Sequence, residues 1–263
     1  MKIGVIYKGD QISGECAEHI KELLERDVAK ASLNIEFVDV ENSSSKVDLI
    51  IAVGGDGTTL KCVPHALQFD VPIVSINTGN VGFLSAYSKN QIASLVTDIC
   101  RNDFLIQERA VLEVLVNGSK YYALNEILVE RSHCECQIAS FDFTIEGEDA
   151  INYCADGCLI ATPTGSTAYS HSAGGSIIHP DSMVLIASAI CPRNSKFNSI
   201  VFPMNKEAKI TVCESKNPCR VFIDGVKCDE LTKNGSVTVN SSLKKIKIIK
   251  TQSFFSLLNQ KLN

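Results

Sequence analysis

The chain has 263 residues, 45% of them hydrophobic and 21% charged, a balance that provides for a sizeable core and excludes a disordered chain. Its length fits one large domain or two modest ones. A formal net charge of −5, the absence of tryptophan and the lack of a basic run exclude a protein that grips nucleic acid through a basic face or stacks single strands on aromatics.

Residues 2–7 are apolar and β-branched and read as a first core strand, too short for the apolar region of a signal peptide. Residues 14–30 read as a helix with Ala17, Ile20, Leu23 and Leu24 on one face, and residues 35–40 as a second strand. Residues 47–53 (VDLIIAV) are nearly unbroken in apolar side chains, as expected of a strand covered on both faces. A glycine-rich turn, a helix through Leu60 to Leu67, a strand over 71–77 and a helix over 90–101 follow. Strand and helix in alternation with short connections predict a parallel sheet wrapped by helices.

After about residue 104 the texture changes. Segments 111–116, 121–130, 138–145, 209–213, 221–223, 237–239 and 246–249 are short and β-rich, with turn pairs such as Asn117-Gly118, Glu146-Gly147, Asp224-Gly225 and Asn234-Gly235 between them. Lys244, Lys245 and Lys247 lie in an alternating stretch and read as a solvated edge. The tail returns to helical spacing, with Phe254, Leu258 and Leu262 on one stripe that suits packing back on the first part. The expected organisation is an α/β domain of residues 1–103 joined by the tail 251–263, and a β-rich domain of residues 104–250.

Eleven cysteines, an odd number, are scattered through the chain, several inside apolar stretches (Cys62, Cys100, Cys158, Cys191). The close pair Cys134-Glu135-Cys136 lacks CxxC spacing and a second pair, so reduced thiols in a cytoplasmic protein are the better reading than a zinc site. No apolar run approaches the ~20 residues of a membrane span, and no membrane partner is expected.

The most informative stretch is Gly54-Gly55-Asp56-Gly57-Thr58-Thr59, directly after a buried-type strand and before a helix. Open α/β sheets bind ligands at this end of their strands. Glycines leave no Cβ to keep phosphate oxygens from backbone N–H groups and from the N-terminus of the next helix. Asp56 is an odd choice in such a cradle. Beside a polyphosphate a carboxylate is repelled unless it binds Mg²⁺ or accepts a proton from an attacking hydroxyl, and both roles belong to phosphoryl transfer. The plainer alternative is a tight turn in which Asp56 caps the helix. The stretch is neither a Walker loop nor a GxGxxG fingerprint, and Lys61 reads as a surface lysine.

A second polar cluster runs from Asp156 to Pro180, with hydroxyls at Thr162, Thr164, Ser166, Thr167, Ser170 and Ser172 before Gly174-Gly175. It follows an apolar strand over 158–161 and suits a ligand with many hydroxyls. Thr167 or Ser166 could cap a short helix over 168–173. Ala168 rules out a GxSxG elbow, and His171 and His179 do not make a Ser-His hydrolase. Asn125-Glu126 interrupts the apolar run 121–129, where unpaired burial of two polar residues is costly. Adjacent side chains of a regular strand face opposite ways, so both can serve one pocket only if the strand is distorted there.

Together these pieces resemble the NAD kinase family: the GGDGT turn at Gly54–Thr58, Asn77-Thr78-Gly79-Asn80-Val81-Gly82-Phe83-Leu84, the Asn125-Glu126 pair, and TPTGSTAYSHSAGG from Thr162 to Gly175. GGDGT alone also occurs in lipid kinases acting on diacylglycerol or sphingosine; the combination is specific. The resemblance implies an α/β domain followed by a β-rich domain, with a terminal helix that returns to the first. It implies transfer of the terminal phosphoryl of ATP, or of polyphosphate, to the 2′-hydroxyl of the adenosine ribose of NAD, with Mg²⁺ as cofactor and no metal ligand assigned to the chain. By that resemblance Asp56 is the catalytic carboxylate, and Gly54, Gly55, Gly57 and Thr58 cradle phosphates. Asn125 and Glu126 hold the acceptor's adenosine portion. Asp156, Thr164, Thr167, Ala168, Tyr169 and Ser172 line the NAD pocket, with Phe83 near the adenine. A homodimer or homotetramer is implied. Ser176 and Arg193 depart from the family's usual Pro and His, away from the proposed chemistry. The rival readings are a lipid kinase sharing the turn and a nucleotide sensor without catalysis.

Overall fold

A computed structural model of the chain describes residues 1–31, 35–38, 45–79, 81–132, 138–193 and 199–262. Asn80, the Cys134–Cys136 pair and the last two residues of the strand expected at 35–40 lie outside the described residues. The fold has two compact units, Met1–Arg109 with Lys245–Asn263, and Ala110–Lys244.

The first unit opens with β1 (Lys2–Tyr7), α1 (Gln11–Ala31), β2 (Glu36–Val38), β3 (Leu49–Val53), α2 (Asp56–Phe69), β4 (Ile73–Asn77), β5 (Tyr87–Ser88) and α3 (Ile92–Arg101). The strands pair in parallel in the order β4-β3-β1-β2, with Ile3 opposite Leu49 and Ile51 opposite Val74. Every residue of β3 and of β4 is buried, which is why these runs lack polar alternation. Helix α3 buries Ile92, Leu95, Val96 and Ile99, an i, i+3, i+4, i+7 stripe that joins Ile20 and Leu24 of α1 in one cluster. Helix α1 starts three residues before the expected Gly14, because the Asp10 carboxylate accepts the Ser13 N–H at 2.8 Å and caps it.

The second unit is built from β6 (Leu105–Val116, entering the unit at Ala110), β7 (Ser119–Ala123), β8 (Glu126–Glu130), β9 (Ala139–Ile145), β10 (Ile151–Ala155), β11 (Gly157–Ala161), α4 (Tyr169–Ser172), β12 (Val184–Ile190), β13 (Ser199–Pro203), β14 (Ala208–Glu214), β15 (Cys219–Ile223), β16 (Val226–Leu231) and β17 (Ser236–Lys250). One antiparallel sheet runs β13-β12-β11-β8-β15-β16; in another, β10, β9, β14 and β17 follow one another. Inner side chains of both sheets share one apolar cluster, with Phe141 and Phe143 of β9 against residues such as Ile127, Ile160 and Leu185. The last residues of β17 return to the first unit, where Ile248 pairs in parallel with Ile73. Helix α5 (Phe254–Leu262) follows, with Leu257 buried and Phe254 and Leu258 half-buried.

Two expectations change. The run expected as one strand over 121–130 is two, β7 and β8, parted at Leu124 and Asn125. The segments expected at 237–239 and 246–249 are one 15-residue strand. Lys244 and Lys245 stand exposed on it, Lys245 beside Glu108 at 2.8 Å, while Lys247 is half-covered and bonds Asp70 at 2.9 Å. No helix of the described residues is long and apolar enough to cross a membrane.

Phe143 meets Phe202 edge-on at 5.6 Å between ring centroids. Phe143→Ala should cost about 3–5 kcal/mol in urea unfolding. A double-mutant cycle with Phe202→Ala should return a coupling of about 0.5–1.5 kcal/mol.

Candidate active site

The glycine turn leaves β3 and enters α2. Gly55 is the N-cap residue, extended at φ −96°, and no side chain caps the helix. Asp56 is therefore not a capping residue. Its carboxylate turns to the loop after β4, accepting the Phe83 N–H at 2.9 Å and the Leu84 N–H at 3.1 Å. Gly82 is required by this arrangement, since a Cβ there would overlap Asp56 Oδ1. A Cβ at Gly54 would overlap Thr58 Oγ1, so that glycine and the buried Thr58 fit together. By contrast a Cβ at Gly55 or Gly57 would meet nothing within 4 Å. Packing does not explain those two glycines, and open space over the helix N-terminus suits a phosphate.

Two cations stand behind the turn that the sequence did not reveal. Lys250, 5% exposed at the end of β17, donates to the Phe83 carbonyl at 2.7 Å, and Arg109 is 4% exposed. Burial, then repulsion from Arg109, pushes the Lys250 ammonium down to about 8, opposed by attraction to Asp56. The loop of residues 82–84 is thus pinned from both sides, by Lys250 on the Phe83 carbonyl and by the Ser75 hydroxyl on the Leu84 carbonyl. The Phe83 ring lies 6.3 Å from the Phe254 ring and 5.6 Å from the Lys261 ammonium, so α5 packs on this loop.

In the second unit the Asn125-Glu126 pair sits where the chain enters β8, and both residues are 7% exposed. Asp224, at the hairpin turn between β15 and β16, accepts the N–H groups of Leu124 (2.8 Å), Asn125 (2.7 Å) and Glu126 (3.1 Å). The strand distortion that the sequence demanded is present here. Burial, then the nearby Asp224, pushes Glu126 up to about 8, against the bond from the Tyr169 N–H. Burial raises Asp224 to about 6, held back by its three N–H donors. Glu126 Oε2 is buried without a partner. Glu126, Leu128, Glu130, Tyr169, Phe222 and Gly225 line a cavity of about 180 Å³. Arg220 pairs with Glu130 at 2.5 Å.

The hydroxyl block divides into two sets. Thr162, Ser166 and Ser170 are fully buried and used within the fold: Thr162 Oγ1 donates to the Leu124 carbonyl at 2.6 Å, Ser166 Oγ to the Pro163 carbonyl at 2.7 Å, and Ser170 Oγ faces Ser188 Oγ. Tyr169 and Ser172 are exposed on α4, Thr167 and Ala168 half-exposed, and Thr164 is 9% exposed. Neither Ser166 nor Thr167 caps α4, because a 3₁₀ turn over Gly165–Thr167 takes their hydroxyls to Pro163 and Thr164, and Ala168 stands at the N-cap. Asp156 is half-exposed and paired with Arg131 at 2.6 Å. Among the described residues no three His, Cys, Asp or Glu side chains gather as a metal cluster.

Comparison with known proteins matches residues 7–104 to the ATP-NAD kinase N-terminal domain and residues 124–251 to the ATP-NAD kinase C-terminal domain. An NAD kinase of Caldicellulosiruptor bescii is 33% identical over 266 residues, covering 100% of this chain and 99% of that protein. One of Bacteroides fragilis is 34% identical, covering 88% and 81%. Among solved structures, yeast NADH kinase complexed with NADH superposes with a TM-score of 0.84 at 22% identity, over 100% of this chain and 87% of that one. An NAD kinase from Archaeoglobus fulgidus in complex with ATP gives 0.78 at 24% identity, over 99% of each chain. The two structures establish likeness of fold.

The raised carboxyls set a pH dependence. Glu126 keeps its proton up to about pH 8 when folded but loses it near the ordinary glutamate value when unfolded. Its burial is therefore without electrostatic cost in acid, and stability falls as pH rises from about 4.5 to about 8, with Asp224 adding a fall of the same sign between its ordinary value and about 6. Between pH ~5 and ~8 the unliganded protein should lose at least about 1 kcal/mol relative to Glu126→Gln in urea unfolding; parallel pH profiles would show that Glu126 ionises normally.

Proposed function

The chain belongs to the ATP-NAD kinase family, enzymes that phosphorylate NAD to NADP, and we propose that Asp56 and the glycine turn carry the phosphoryl transfer while the Asn125-Glu126 pair and the exposed part of the hydroxyl block hold the acceptor. The observation that carries this reading is the Asp56 carboxylate, held by two backbone N–H groups at a helix N-terminus whose neighbouring glycines leave open space.

A ribose hydroxyl has a pKa far above the ~4 of an ordinary Asp, so a carboxylate cannot ionise it in advance. It can accept the proton late, as the new O–P bond forms and the bond to the leaving phosphate breaks. The two N–H donors leave lone pairs free on the Asp56 oxygens, enough to orient an attacking 2′-hydroxyl as well. Backbone N–H groups at the start of α2, at Gly55 and Gly57, bind phosphate; Gly54 and Thr58, whose N–H groups donate to the Ile76 and Gly55 carbonyls, shape the turn, and Lys250 with Arg109 adds positive potential from behind. Asn125 and Glu126 present a carboxamide and a carboxyl that keeps its proton, the donor and acceptor set that recognises adenosine. Thr164, Thr167, Ala168, Tyr169, Ser172 and Asp156 complete the NAD pocket of the second unit.

Magnesium, which takes substrate phosphates and one or two carboxylates in preference to an all-protein cage, fits a turn offering the single carboxylate of Asp56. Bound there it would offset charge on the transferring group. On this reading ATP or polyphosphate is the donor, and the enzyme is a cytoplasmic homodimer or homotetramer.

The test is NADP formation from NAD, ATP and Mg²⁺ by the purified chain, read with an NADP-specific dehydrogenase. Asp56→Asn should keep NAD binding and lower kcat by about 10²–10⁴; near wild-type turnover removes the base. Gly82→Ala, which pushes the Asp56 carboxylate off its two donors, should lower kcat at least about tenfold with NAD binding retained. An unchanged kcat would mean the cradle does not matter.

A further inference from the structure

Asp224 and Gly225 form a two-residue hairpin turn, with φ values of +48° and +80°, joining β15 to β16. Such a turn asks only for residues that tolerate positive φ, and Asn-Gly or Gly-Gly satisfies it. A half-buried carboxylate with three backbone donors is more than the turn needs. Its two oxygens gather three consecutive N–H groups from a segment 98–100 residues earlier, and its own N–H donates to the Glu126 carbonyl at 3.0 Å. An asparagine has one acceptor oxygen and an NH₂ that would face donors.

Three successive N–H groups pointing at one acceptor is not strand geometry, in which successive N–H groups alternate. Asp224 therefore draws Leu124 and Asn125 out of the pleat, and β8 starts only at Glu126. The segment is fixed on its other side as well. The Thr162 N–H donates to the Asn125 carbonyl at 2.9 Å, and Gly165 approaches that carbonyl so closely that a Cβ would overlap it. Two side chains hold the segment: the Thr162 hydroxyl takes the Leu124 carbonyl at 2.6 Å, and the Asp224 carboxylate takes the three N–H groups.

We propose that Asp224 is a positioning residue for the dinucleotide acceptor: by collecting the N–H groups of Leu124, Asn125 and Glu126 it releases the Asn125-Glu126 pair from strand alternation and sets both side chains for NAD. The inference rests on the reading that this pair holds the acceptor. It requires no contact between Asp224 and substrate, and it explains why a carboxylate is spent on a hairpin turn.

Steady-state kinetics of the full chain test it, with Asp224→Asn, Asp224→Glu and Glu126→Ala beside wild type. Asp224→Asn leaves buried N–H donors unpaired and should raise KM for NAD about tenfold or more, with kcat and KM for ATP within about threefold. Asp224→Glu keeps the charge but moves it by one methylene; it should show the same split and serves if the Asn variant does not fold. Unchanged KM for NAD in a folded Asp224 variant, or a fall in kcat with both KM values shifted together, overturns the proposal. Glu126→Ala, which removes the donor and acceptor that Gln would keep, separates the two readings. If it leaves KM for NAD unchanged, the pair does not hold the acceptor; if it raises KM while the Asp224 variants do not, the pair holds the acceptor without help from Asp224.

Discussion

A carboxylate at a turn proposed to bind phosphate would be repelled by the group it serves, and its direction has to be fixed by something other than that group. Here two main-chain N–H groups, of Phe83 and Leu84, take both oxygens of Asp56. Much else in the first unit follows from that pair of bonds. Gly82 is small because the carboxylate occupies the place of its Cβ, Ser75 and Lys250 hold the carbonyls of the same loop, and α5 sets Phe254 beside the Phe83 ring. Lys250 is held uncomfortably, its ammonium destabilised by burial and by Arg109, and the negative charge of Asp56 is what partly compensates it.

The second unit solves a similar problem with the roles exchanged. There the carboxylate of Asp224 is the clamp and the backbone is what it orients, so a polar pair can enter an apolar strand without obeying its alternation. The buried hydroxyls of Thr162, Ser166 and Ser170 do comparable work, tying the polar loop to Leu124 ahead of β8, to its own backbone and to Ser188 of β12. Left outside these bonds are the exposed Tyr169 and Ser172 and the Glu126 oxygen without a partner, the groups the proposed acceptor site draws on.

The sequence was most legible where structure is local. The buried run of β3, the glycine turn and the stripe of α3 each carry their signal within a few residues, and the family motifs pick out the less buried members of the hydroxyl block. The break at Asn125 was legible as a condition, since two adjacent polar residues cannot share a face of a regular strand. What satisfies it was not, because Asp224 is about a hundred residues away and looks like any turn aspartate. Lys250 was hidden for a different reason: it follows Lys244, Lys245 and Lys247, which belong to solvent or to surface ion pairs, and only the end of β17 turns a lysine inward. The helix cap expected of Thr167 or Ser166 failed because an extra 3₁₀ turn intervenes, a feature with no sequence period of its own.

The clamp on Asp56 also gives the molecule a built-in clock. The amide hydrogens of Phe83 and Leu84 are bonded to a side chain rather than to a neighbouring strand, so they exchange with solvent deuterium only as often as that carboxylate lets go. Two adjacent amides in one loop thereby record the motion of a single side chain. The free energy of releasing the Asp56 carboxylate from its donors is written into the isotope content of two backbone positions.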